Sequence, residues 1–229
     1  MKILPNGLND LFAVFKARLG DGNKNVVRLI VQLLGKFIEA LGSNFKTFTK
    51  TVSLGLIGNL ADKMQMLRED VLICMDKWVS QAGFESIIIY IPNFLKQDNF
   101  EMRTEILKFL HKYKEYFGKI DLKEFITPFL LCLQDKSNPI RNSVEELIVY
   151  TLKFIPLSIY YTSLKDYKPA IQNTIKQILD RYNTTEPPST TTNADFKKTI
   201  DRSNDKILDR TAEKIIPKSP VKEEKKLND

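Results

Sequence analysis

Apolar residues recur at helical spacing from residue 8 to residue 182, and short polar turns or glycines interrupt them where helices would stop. The pattern predicts helices at 8–19, 25–41, 44–60, 66–82, 84–95, 100–117, 121–134, 139–155 and 167–182. Gly42, Gly83 and Gly118 stand where three of these helices should end. Asp121 and Glu124 have capping-box spacing, and Asn138 followed by Pro139 reads as an N-cap and first helical residue. Pro92 and Pro128 fall inside expected helices and should bend them. "SIIIYI" (86–91) is β-branched like a strand, but its flanks and length fit a buried helix better.

The polar interruptions repeat. "GDGNKNVVRLIVQLLG", "ADKMQMLREDVLICM", "KQDNFEMRTEILKFL" and "QDKSNPIRNSVEELI" each run from an aspartate (Asp21, Asp62, Asp98, Asp135) through a turn to an arginine (Arg28, Arg68, Arg103, Arg141) and into an amphipathic helix. Successive aspartates are 41, 36 and 37 residues apart. A period near 40 with two helices per unit predicts an all-α solenoid of HEAT type, in which each helix pair buries its apolar face on the next. Stacking should then set the turns 20–25, 61–67, 96–100 and 134–140 along one edge. The arginine in the first turn of each helix needs explaining, because the positive end of the helix dipole disfavours a cation there by up to about 1 kcal/mol. Either a neighbouring acid holds it in an internal ladder or it meets an acidic partner.

After Tyr182 the character changes. "NTTEPPSTTT" reads as a linker, and residues 183–229 are rich in both charges and poor in aromatics, which predicts a disordered tail with a possible short helix at 204–216. "KSPVK" makes Ser219 a phosphorylation candidate. The chain thus divides into a repeat domain, 1–182, and a tail, 183–229, that should be removable without loss of folding.

Composition narrows the function. Most of the net charge of +7 belongs to the repeat domain, since the tail carries 10 Lys/Arg against 9 Asp/Glu and residues 1–182 carry 25 against 19. That excess points to an acidic partner. No apolar run approaches the roughly 18 residues of a membrane span, and the first residues lack the apolar core of a signal peptide, so a cytosolic location is expected. Cys74 and Cys132 have no Cys/His companions and read as buried thiols, while His111 reads as a helix-surface or partly buried imidazole and Trp78 as a packing residue on a helix. No nucleotide-binding, hydrolase or zinc-protease motif occurs, so no enzyme activity, cofactor or metal is expected. The turn edge lacks interleaved aromatics and arginine clusters, which argues against nucleic acid.

What remains is the edge itself. It carries Lys24, Lys63, Lys96, Lys136 and the first-turn arginines, with Asn23, Asn25, Asn99, Ser137 and Asn138 between them, and with Met64, Met66 and Phe100 exposed unless they touch something. A HEAT scaffold that binds a protein or peptide on its concave helical face is the alternative reading.

The four turns in this order, the layout of "NVVRLIVQLLGKFIEALG" and the closing "LKDYKPAIQNTIKQIL" resemble the TOG domain, the HEAT-repeat module of the chTOG/Dis1 microtubule polymerases and the related CLASP proteins. The resemblance spans about residues 8–182. It implies a non-enzymatic module that binds αβ-tubulin or the microtubule through its intra-repeat loops and assists microtubule growth and organisation, without membrane or nucleic acid, at the spindle or a microtubule-organising centre. Position by position it implies tubulin contacts at Lys24 and Asn25; Lys63 and Met64; Lys96 and Asn99; and Lys136, Ser137, Asn138 and Arg141. The family's first repeat, whose loop carries a tryptophan, has no counterpart, so the resemblance further implies a monomer or a fragment of a longer multi-TOG protein. Without the upstream repeat that would cap the stack, an apolar face around Leu11, Val14 and Phe15 should be exposed.

Overall fold

In the computed structural model, residues 7–183 are described. Their regular structure is helical and arranged in five successive pairs. The first pair is α1 (Leu8–Arg18) and α2 (Lys24–Leu41); the second is α3 (Thr49–Gly58) and α4 (Gln65–Ala82). In the third, two short helices, α5 (Glu85–Ile88) and α6 (Ile91–Leu95), precede α7 (Phe100–Tyr113). The fourth is α8 (Lys123–Cys132) with α9 (Asn138–Thr151), and the fifth α10 (Leu157–Ser163) with α11 (Pro169–Asn183). Second helices stack on second helices, α2 on α4, α4 on α7 and α7 on α9, while α1 packs on α3 and α6 on α8. This is the expected solenoid. The expected tail, apart from Asn183, and the candidate Ser219 lie outside the described residues.

The differences from the sequence expectation have local causes. The helix expected at 84–95 is broken: Pro92 lacks an amide donor and its ring collides with the carbonyl four residues back, so it sits in the first turn of α6 instead of bending one long helix. The segment "SIIIYI" forms no strand: it spans the end of α5, a turn at Ile89 and Tyr90 and the start of α6. Pro128 lies within α8, as expected. Helices expected to start at 44 and to end at 117 give way to 3-10 turns over Gly42–Phe48 and Lys114–Lys119. Gly42 (φ 57°) and Gly83 (φ 87°) end α2 and α4 in backbone conformations that side chains disfavour. Gly118 does not: it lies in the 3-10 turn, where a Cβ would come within 2.9 Å of Phe154. Asp121 makes no capping box, its carboxylate instead accepting the Lys123 amide. The helix α10 was not foreseen, because "LSIYYTS" shows no apolar stripe; Tyr160 anchors it, buried, its hydroxyl 2.5 Å from Thr151 Oγ1.

One apolar core runs through the stack, from Phe12 and Phe15 to Ile175 and Leu179. Trp78 is fully buried against Phe45 (centroids 5.0 Å apart, edge to face), and its indole N–H donates to Ser86 Oγ at 2.7 Å. Burial pushes the thiols of Cys74 and Cys132 up to about 12, so both are unreactive packing residues. At the first pair the expectation fails in part: Val14 is exposed and Leu11 half-buried, but Phe15 is covered by Phe12 and Phe37.

Candidate functional site: the turn edge

Side-chain bridges join the first turn to the second and the third to the fourth, and a pair between α4 and α7 links the two halves. Asn59 Nδ2 donates to Leu19 O (3.0 Å) and Lys24 Nζ pairs with Asp62 (3.0 Å), joining the first turn to the second. Arg68, just past the second turn, pairs with Glu105 of α7 (3.3 Å). Arg103 reaches from the third turn to Asp135 of the fourth at 2.5 Å, with both side chains nearly buried. The four turns therefore run along one continuous edge, in chain order.

The arginines do form a ladder, though mostly with acids the sequence reading did not choose. Arg28 crosses to Asp70 (2.7 Å) and Arg68 to Glu105, both mid-helix acids; only Arg103 meets turn aspartates, Asp98 (3.3 Å) and Asp135. Further along, Asp76 of α4 takes Lys112 (2.7 Å) and Tyr113 (2.8 Å) of α7, and His111 Nε2 lies 2.9 Å from Ser143 O of α9. A residue search keyed to the repeat would have found Glu105, which lies 37 residues beyond Arg68.

The turns themselves are built by backbone capture. The carboxylates of Asp21, Asp62 and Asp135 each accept the amide two residues on, at 2.8 Å, 2.9 Å and 2.8 Å, giving three Asx turns. At Asp21 the Asn23 amide and Arg18 hold the carboxyl below its ordinary range. At Asp62 partial burial pushes the carboxyl up, but the Met64 amide, Lys24 and Arg68 together outweigh it and the net shift is downward. Asn23 and Asn99 cap α2 and α7, accepting from Asn25 N (3.0 Å) and Met102 N (2.8 Å).

The arginine that seemed misplaced now has a reason. Arg141 Nη1 donates to Asp135 O (2.6 Å) and Lys136 O (3.0 Å), and its Nη2 donates to Asn138 Oδ1 (2.7 Å). Carbonyl dipoles of the turn thus offset the helix dipole. Asn138 is not the N-cap: that position is Ser137, whose side chain makes no cap hydrogen bond, and Asn138 begins α9 with Pro139 behind it.

Among the inferred contact residues, Lys24 is tied to Asp62 and Asn99 to its cap, whereas Lys63, Lys96, Lys136, Asn25 and Asn138 are exposed. The side chains of Lys63, Lys96 and Lys136 make no ion pair among the described residues. Met64, Met66 and Phe100 are 36%, 56% and 55% exposed, so the edge offers cations and apolar surface together. The described residues contain no group of acids, cysteines or histidines able to hold a metal, and no helix long and apolar enough to cross a membrane.

No protein-family model matches the chain. Protein MOR1 of Oryza sativa subsp. japonica is 27% identical over 168 residues (72% of this chain), and Centrosomal protein 224 of Dictyostelium discoideum is 29% identical over 187 residues (79% of this chain). The chain spans only 8% and 9% of the length of these relatives. A solved structure of crescerin, described as using a TOG domain array to regulate microtubules in the primary cilium, matches with TM-score 0.62 at 18% identity, over 82% of this chain and 80% of that one. The fold is that of a TOG domain. A second TOG structure, from work on tubulin recruitment and assembly by microtubule polymerases, matches with TM-score 0.58 at 19% identity, over 80% of this chain and 39% of that one. Within the TOG fold of this chain, the described second helices of the first four pairs each begin at a turn of the edge described above.

Proposed function

We propose that this chain is a non-enzymatic tubulin-binding module that acts on αβ-tubulin or the microtubule through its turn edge, and so assists microtubule growth or organisation on the cytoskeleton. The observation that carries this reading is the set of lysines without an ion pair, Lys63, Lys96 and Lys136, on one edge of a TOG fold, with the turns of Lys63 and Lys136 fixed from within. Fixed turns lose little entropy on docking, and exposed cations steer an acidic partner. The microtubule regulation and tubulin recruitment named for the two solved neighbours, and the centrosomal name of one relative, fit the same partner and location.

The test is charge reversal of the edge. Lys63→Glu with Lys96→Glu and Lys136→Glu should abolish co-elution with αβ-tubulin while leaving the melting temperature nearly unchanged, because like charges across an interface repel strongly and exposed charges contribute only about 0–1 kcal/mol each to folding. Unaltered tubulin binding by the triple variant would remove the turn edge as the binding surface.

A further inference from the structure

Two of the four turns are copies of one device. In residues 62–68 and 135–141 an aspartate is followed directly by a lysine and six positions later by an arginine. In both, the aspartate carboxylate captures the amide two residues on. In both, the arginine Nη1 returns to the aspartate carbonyl and the lysine carbonyl: 2.9 Å and 3.1 Å from Arg68, 2.6 Å and 3.0 Å from Arg141. The lysine between these anchors has its backbone fixed on both sides and its ammonium free.

The turn between them is built differently. Arg103 there donates to Leu95 O (3.3 Å) and pairs with Asp98, so no arginine bond holds the carbonyl of Lys96. What this turn offers instead is Phe100, the first residue of α7, 55% exposed. Its height follows from register: Arg68 meets Glu105, and Asp76 meets Lys112 and Tyr113, offsets of 37, 36 and 37 residues, which put residue 100 level with 63–64. Phe100 is therefore level with Met64 on the adjacent second helix, and the two exposed side chains make an apolar step between two cationic ones.

We propose that Lys63 and Lys136 are equivalent anion contacts, with Arg68 and Arg141 as their positioning residues, and that Phe100 with Met64 forms the apolar contact between them. The complementary partner surface then carries two carboxylate patches on either side of an apolar one. Adjacent packed helices lie roughly 8–10 Å apart, so α4 and α9, two steps apart, set the patches roughly 16–20 Å from each other. This rests on the reading of the turn edge as the tubulin-binding surface and specifies how that surface is used: cations at the flanks for steering, a buried aromatic at the centre for affinity.

The experiment measures αβ-tubulin affinity of the whole chain at several salt concentrations, with melting temperature as the folding control. Lys63→Ala and Lys136→Ala should each weaken binding by a similar factor, on the order of 3–10-fold, and flatten the salt dependence equally, because each removes one screened charge pair. Phe100→Ala should weaken binding about 30-fold or more without changing the salt dependence, as loss of a central aromatic does. Arg141→Ala should weaken binding only through Lys136, so that adding it to Lys136→Ala costs nothing further. Unequal lysine effects, a Phe100→Ala variant that binds as the parent does, or an Arg141→Ala loss that adds to that of Lys136→Ala would overturn the inference. Each of these could occur while the triple charge reversal still abolished binding, which would leave the turn edge standing as the tubulin surface.

Discussion

The two long edges of the stack keep their shape by different means. Along the turn edge, Asx turns, arginine-to-carbonyl bonds and cross-repeat ion pairs fix the backbone, leaving Lys63, Lys136 and Phe100 with side chains that hold nothing together. Along the opposite edge, where one pair passes to the next, aromatic side chains do the holding: Phe84 lies against Phe109, Tyr113, Tyr116 and Phe117, and Phe154 closes on Gly118. Lysines there are also engaged, Lys114 and Lys153 with the Tyr150 ring at 5.4 Å and 4.4 Å from its centroid. An edge fixed through its backbone can vary its side chains to suit a partner. An edge fixed through its side chains cannot, and this is the physical reason to look for recognition on the turn side.

The largest effects should come from breaking each edge by its own means. Arg103→Ala leaves the nearly buried Asp135 carboxylate without its cation and should destabilise folding by about 3–5 kcal/mol in urea titration, and adding Asp135→Ala should recover much of that by removing the orphaned charge. Phe84→Ala removes a ring 2% exposed from four aromatic neighbours and should cost a similar 3–5 kcal/mol, but no polar partner substitution should restore it. If the Arg103 loss were equally irreversible, packing rather than pairing would hold the turn edge.

How far this division could be read in advance depended on which signals the sequence repeats. The helical stripes and the recurring Asp-to-Arg turns carried the fold and the edge, because a solenoid writes its architecture once per unit. The ladder partners were partly hidden: Asp70 and Glu105 sit in mid-helix, and only the stacking register brings them to Arg28 and Arg68. For Arg141 the sequence left an acid ladder and an acidic partner open, and neither describes its bonds to the turn's own carbonyls, because carbonyl acceptors leave no mark in sequence. The helix α10 was missed since one buried tyrosine, not a stripe, fixes it. Pro92 was noticed, yet its consequence depended on whether the helix could start afresh behind it, which the core around Ile91, Phe94 and Leu95 allows.

A smaller effect separates the edges by pH. Asp62 keeps a folded pKa below its ordinary 3.8 despite partial burial, because its Asx turn, Lys24 and Arg68 favour the charged form. A carboxyl depressed on folding stabilises the native state above its unfolded pKa and loses that contribution as pH falls through the folded value. Stability of the parent should therefore drop on acidification below about pH 4, and Asp62→Asn, already lacking the charged turn, should show a shallower decline over the same range. An identical acid profile for the two proteins would mean that the turn aspartate contributes nothing through its charge.

The smallest effect compares lysine with lysine. On the aromatic edge Lys153 lies 4.4 Å from the centroid of the Tyr150 ring, and Lys153→Ala should cost about 0.5–1 kcal/mol, the usual worth of an exposed cation–π contact. On the turn edge Lys63 and Lys136 are exposed, and the arginine bonds at those residues go to their main-chain carbonyls, which alanine keeps. Lys63→Ala and Lys136→Ala should accordingly leave the urea midpoint and slope where they are, within the few tenths of a kcal/mol typical of surface substitutions. Should either turn lysine prove as costly to remove as Lys153, its ammonium would be serving the fold, and the contrast that assigns recognition to the turn edge would lose its basis.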